Sequence, residues 1–97
     1  MADNTIAERT LSFAAEPSRR LTVRLAKPDL NRDADEYRCH YEIVGEGVEI
    51  ARYAAGLDAF QALQCAILLI GADIVHIEQT RATDLRWLDG DAGFPRP

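Results

Sequence analysis

Lysine occurs once in the 97 residues, at Lys27, and tryptophan once, at Trp87. Ten of the eleven basic residues are therefore arginine, against sixteen acidic ones, for a net charge of −5 and a pI of about 4.9. The deficit is concentrated. Residues 1–28 hold five cations and three anions, whereas residues 29–97 hold six cations and thirteen anions. A binder of nucleic acid needs net attraction to phosphate, and most of this chain would repel it. An anionic membrane surface is disfavoured on the same ground. Cysteine occurs twice, at Cys39 and Cys65, each within an apolar stretch and without Cys-x-x-Cys spacing. Buried free thiols are expected rather than a disulfide framework or a thiolate metal site. The longest apolar run, Ala66–Ile70, is far below the ~20 residues of a membrane span. Met-Ala-Asp-Asn-Thr at the start lacks the basic-then-apolar pattern of a secretory signal, so a cytoplasmic location is expected.

What is present reads as one α+β domain over residues 1–97, with 1–8 frayed. Period-two alternation marks four strands between about residues 9 and 55: Arg9–Ala15, Arg20–Ala26, Tyr37–Val44 and Val48–Ala55. Each has a dry and a wet side, as in an antiparallel sheet. Glu16-Pro17-Ser18 is read as the first turn, Pro28 to Glu36 as a polar loop, and Gly45-Glu46-Gly47 as a hairpin. The expectation is a four-stranded antiparallel meander in the order 1-2-3-4.

The period then changes to that of a helix at about 58–79. Phe60, Leu63, Ile67, Ile70, Ile74 and Ile77 form its core stripe, and Asp58 with Gln61 forms a capping box. Gly71 leaves two readings open: one long helix packed on a face of the sheet, or a helix ending there and a fifth strand at Asp73–Glu78. The first half of the helix is apolar nearly all round, so Cys65, Leu68 and Leu69 need a second cover. An ordered tail over residues 84–95, carrying Leu85, Trp87, Leu88 and Phe94, is one candidate. A second copy of the chain is the other.

Gly56-Leu57-Asp58-Ala59-Phe60-Gln61-Ala62-Leu63, then Trp87-Leu88 and Gly93-Phe94-Pro95, resemble a small bacterial domain family of unknown function. The resemblance implies a meander, one helix and a packed tail, with no chemistry attached to them.

Motifs for chemistry are weak. Asp29, Asn31 and Asp33 alternate like the opening of a calcium loop, but Ala34 replaces the required glycine and His40 the terminal glutamate. Cys39 and His40 are adjacent on a strand, so they point to opposite faces and cannot share a zinc ion. His76 is expected to pair with Asp73 on the outer helix face. Glu42 and Glu49 are expected to face one another across the hairpin, with Arg38 and Arg52 beside them. No catalytic residue, metal site or cofactor is assigned. The wet sheet face, with Arg24, Arg38, His40, Glu42 and Tyr53, and the helix flank, with Leu68 and Leu69, are the candidate interaction surfaces. The expected function is a non-catalytic protein-interaction domain of an immunity-like or accessory-subunit kind, with a protein partner, a homodimer, or both. The alternative is a small enzyme or ligand-binding domain with a pocket between helix and tail, near Trp87 and Tyr41.

Overall fold

The structure, a computed structural model, describes residues 4–97. It consists of β1 (Thr5–Phe13), β2 (Glu16–Ala26), β3 (Asp29–Asn31), β4 (Glu36–Gly45), β5 (Val48–Gly56), α1 (Ala59–Arg81), β6 (Leu85–Trp87) and β7 (Gly90–Asp91). All seven strands belong to one antiparallel sheet. The four long strands stand in the expected order, with β1 beside β2, β2 beside β4 and β4 beside β5. Three short strands were not expected. β3 continues past Pro28 along the same edge of β4 as β2, because Arg38 faces Asp29 on one side and Ala55 on the other. The polar loop is thus mostly a hairpin, closed where the Ala34 N–H donates to Asn31 Oδ1 at 2.9 Å. β6 pairs with Ser12 and Phe13 of β1, and β7 lies outside β6.

The sheet departs from expectation at two further points. Of the segment expected to fray, residues 1–3 lie outside the described residues, and Thr5 to Glu8 already pair with β2. The first turn falls at Ala14-Ala15, not at Pro17. Phe13 faces Glu16 while Ser12 faces Arg20, so Pro17, Ser18 and Arg19 bulge out of the ladder. Proline has no N–H to give a ladder, and a bulge is where a strand accommodates it. The β4–β5 hairpin closes through Glu46 and Gly47, with φ of +51° and +83°. That is the twist-matched two-residue turn in which glycine carries no steric penalty.

α1 begins where its cap predicts. Asp58 Oδ1 accepts the Gln61 N–H at 2.8 Å, and Gln61 Oε1 accepts the Leu57 N–H at 2.6 Å. The helix runs through Gly71 to Arg81, so there is no strand at 73–78. An ideal Cβ at Gly71 would lie 1.8 Å from the Pro95 carbonyl oxygen. Glycine is there because the tail crosses the helix at that point. By length and composition alone α1 could also cross a membrane. That exceeds what the short run Ala66–Ile70 suggests, since Gly71 and scattered polar residues interrupt an otherwise apolar segment.

The helix is rotated from the expected stripe. Ala62, Ala66, Ile70, Ile74 and Ile77 are buried, Leu63 and Ile67 are half-buried, and Phe60 is exposed. The small alanines allow the N-terminal half of α1 to lie close on β4 and β5. Their opposite numbers are Leu11, Phe13, Leu21, Val23, Leu25, Cys39, Tyr41 and Ile43. Each such aliphatic side chain, fully buried, contributes roughly 1.5–3 kcal/mol.

The tail is docked. Leu85 and Ala92 are buried and Phe94 is half-buried against the core. Trp87 is 37% exposed and stacks on the Arg9 guanidinium at 3.7 Å, whereas Leu88 projects into solvent. Glu78, buried on α1, accepts the Leu85 N–H at 2.8 Å and pairs with Arg96 at 3.1 Å. Ala14 N–H and Ala15 N–H donate to the Asp84 carbonyl and the Thr83 hydroxyl, which ties the first turn to the end of the helix.

Candidate interaction surface

Even-numbered side chains of β2 and β4 and odd-numbered ones of β5 share the wet face, because antiparallel partners point the same way. Glu8, Arg24 and Glu42 form a row across β1, β2 and β4. Arg24 bonds both carboxylates at 3.1 Å, through Nε to Glu8 and Nη1 to Glu42. The next row sets His40 opposite Tyr53, with ring centres 5.2 Å apart. Arg38 lies 4.6 Å from the Tyr53 ring centre and is held by Glu36 at 2.7 Å. Arg24, Arg38, His40, Glu42 and Tyr53 are therefore gathered on one surface. A shallow cleft of about 360 Å³ opens there over Ala26 and Ala51, between Arg24, His40, Glu42 and Tyr53. The alanines make the hollow, and their small size was the sign of it in the sequence. Glu42 and Glu49 do not face each other. Glu42 stands opposite Ala51 and Glu49 opposite Val44.

Leu68 and Leu69 lie in the other layer, on α1, and are not joined to the wet face. The first fourteen residues of the helix, 59–72, carry no charge. Phe60, Gln64 and Leu68 follow one another along a row of i, i+4 neighbours, all exposed. Leu57, just before the cap, is 87% exposed, Phe60 76% and Leu68 58%. The tail covers Gly71 and Glu78 but not this row. Between α1 and the tail a groove of about 270 Å³ remains, lined by Val23, Leu25, Ile67, Ile70, Arg9 and Phe94. Ile67 is seven residues beyond Phe60, on the same side of the helix. The exposed row and the groove thus form one mostly apolar flank, interrupted by Gln64 in the row and bordered by Glu8 and Arg9 at the groove.

A pocket is expected between helix and tail near Trp87 and Tyr41; the groove between helix and tail is lined by neither residue. Trp87 is on the β1 side, stacked on Arg9. Tyr41 reaches α1 from β4, where its hydroxyl donates to Asp73 Oδ2. Arg52 Nη1 donates to Asp73 Oδ1 at 2.7 Å. Asp73 therefore turns toward the sheet, and the expected pair with His76 is replaced by this triad. Burial, reinforced by the Asp73 carboxylate, pushes the Tyr41 hydroxyl well above the usual phenol range. Cys39 is buried and donates its thiol to the Ala26 carbonyl, and burial pushes that thiol up as well. It is an inert thiol. Cys65 is half-buried and also free. Among the described residues, no three His, Cys, Asp or Glu side chains converge on a common point.

Sequence reasoning missed the roles of both acids: Asp73 read as an outward-facing helix position, and Glu78 was assigned no role. The only available sign was an acid on the flank of a helix otherwise poor in charge. No curated protein and no solved structure shows significant similarity to the chain. With its sheet, capped helix and docked tail spanning residues 7–97, the chain belongs to the family described as a domain of unknown function, DUF6968.

Proposed function

We propose that this chain is a non-catalytic protein-interaction domain whose contact surface is the apolar flank of α1. The observation that supports this reading is the uncharged half-helix, residues 59–72, with Phe60 and Leu68 largely in solvent. Isolated exposed apolar residues are ordinary on protein surfaces. An uncharged row with two large apolar side chains in solvent, continuing into a groove, marks a contact site. The helix-in-groove mode suits it, with a partner's apolar side chain seated between Ile67 and Phe94 and Phe60 closing the rim. Desolvating Phe60 and Leu68 would contribute roughly 1.5–3 kcal/mol each, enough to anchor a modest interface.

The test is site-specific photocrosslinking in the native host. p-Benzoylphenylalanine at position 60 or 68 should give a protein adduct of defined mass, which Leu68→Glu in the position-60 probe abolishes. Adducts from a wet-face probe at Thr22 alone, or from none of the three positions, would refute the assignment.

A further inference from the structure

β5 is bonded to β4 through an unbroken register, from Gly45 opposite Val48 to Tyr37 opposite Gly56. Among the described residues, nothing pairs with its other edge. Proteins usually blunt such an edge with proline, lysine, a bulge or a covering segment. The opposite side of the sheet is treated in that way. β1 has a register shift between Thr5 and Ala7, β6 covers Ser12 and Phe13, and Arg9 is bonded to the carbonyls of Ala92 and Gly93. β5, Val-Glu-Ile-Ala-Arg-Tyr-Ala-Ala-Gly, has none of these devices. Its one inward-facing charge, Arg52, is already neutralised by Asp73.

From this we infer that β5 pairs antiparallel with β5 of a second copy, about a two-fold axis at Ala51, to make one continuous sheet. The interface is separate from the α1 flank discussed above and stands on its own observations. The strand is self-complementary in that register. Ala51 meets Ala51, Glu49 meets the partner's Tyr53, and Ile50 meets the partner's Arg52, so no like charges stand directly opposite. An axis at Arg52 would oppose two guanidiniums. On the dry side, Asp73 reaches Arg52, so the row Cys65, Leu69, Asp73 lies along the β5 flank of α1. Cys65 and Leu69 are half-buried, and the two-fold axis turns each copy's row toward the other's.

The dimensions suffice. Seven residues of each copy, Val48 to Ala54, pair in this register and extend about 23 Å, and the molecule is 21 Å across its shortest dimension. Such a contact offers on the order of 500 Å² per copy, or about 1,000 Å² in all, the size a specific interface has to reach.

Sedimentation equilibrium on the full chain tests this, with disulfide trapping in a Cys65→Ser background. A dimer is expected, and Ala51→Lys should weaken it about tenfold or more while leaving the melting curve of the monomer unchanged. Lysine at this position stays on the wet face and opposes its own copy. Ala51→Cys should crosslink rapidly within the dimer. Glu49→Cys should not, because the two thiols would be about 13 Å apart along the strands, beyond disulfide reach. A monomer up to millimolar concentration overturns the proposal. So does a dimer that tolerates Ala51→Lys, or one that Phe60→Glu dissociates while position 51 stays uncrosslinked; that last result would place self-association on the α1 flank.

Discussion

Replacing Gly71 with alanine sets two effects against each other. In a helix interior alanine is favoured over glycine by about 1 kcal/mol. In the folded chain, however, the new methyl would lie 1.8 Å from the Pro95 carbonyl oxygen and 3.0 Å from its carbon. Both are backbone atoms, so the tail must lift. Lifting re-exposes part of Phe94, worth about 1 kcal/mol given its half-buried state. It also separates Arg96 from Glu78, leaving a buried carboxylate with Leu85 N–H as its remaining partner. Because Arg96 is half in solvent, that loss is about 1–2 kcal/mol rather than the full value of a buried pair. The net expectation is destabilisation by about 1–2 kcal/mol, or a Tm lower by roughly 5–15 °C for a domain of this size. The decisive control is a chain ending at Phe94, which lacks the obstructing carbonyl. There Gly71→Ala should raise stability by about 1 kcal/mol. Thermal denaturation of the four proteins reads both signs. If the substitution stabilises the full chain, or costs the same in both, the tail does not cross the helix at Gly71.

In the tail, residue size should not rank the effects. Leu85→Ala should cost about 2–5 kcal/mol, since Leu85 is fully buried, and Trp87→Ala about 1 kcal/mol, since Trp87 mainly covers Arg9 at the rim; urea titration checks the order. The raised Tyr41 phenol makes the folded state bind more protons than the unfolded chain above about pH 10. Its stabilising contribution is thus complete below that pH and lost as pH rises further; Tyr41→Phe should flatten this alkaline slope in denaturation followed at several pH values. Ala82, the helix C-cap at φ +54°, holds a left-handed conformation that glycine adopts without steric cost, so Ala82→Gly should add about 0.5–1 kcal/mol in calorimetry.

Features carried by nearby residues were legible in the sequence. The alternation of β4 and β5, the hairpin at Glu46-Gly47 and the cap at Asp58 all depend on neighbours a few positions away. The rotation of α1 was not legible, because a helix apolar on nearly every side has no pattern that singles out a core face. Ile74 and Ile77 satisfied both the expected stripe and the observed one. Phe60 satisfied only the expected one, since close packing of Ala62 and Ala66 leaves it outside. The short strands β6 and β7 depend on Ser12 and Phe13, more than seventy positions earlier in the chain. Arg24, Arg38, His40, Glu42 and Tyr53 share the wet face because strand parity alone decides the side, whereas Arg52, expected beside Glu42 and Glu49, has the other parity and turns to Asp73. The pairings on that face were not legible, since Arg24 selects Glu8 and Glu42 through the register between strands.

The bonds from Ala14 and Ala15 to Asp84 and Thr83, and the pairing of β1 with β6, have a consequence for synthesis. The first hairpin leaves the ribosome early with its turn donors unbound and the edge of β1 open. No later segment can close that edge until residues 83–87 have been made. Contacts of such long sequence separation are slow to form, and open edges in waiting chains are prone to pair with the wrong neighbour. The segment at residues 83–87 thus acts as the fastening of the fold. A chain stalled or cleaved before it would carry an almost complete sheet and helix with no means of shutting them.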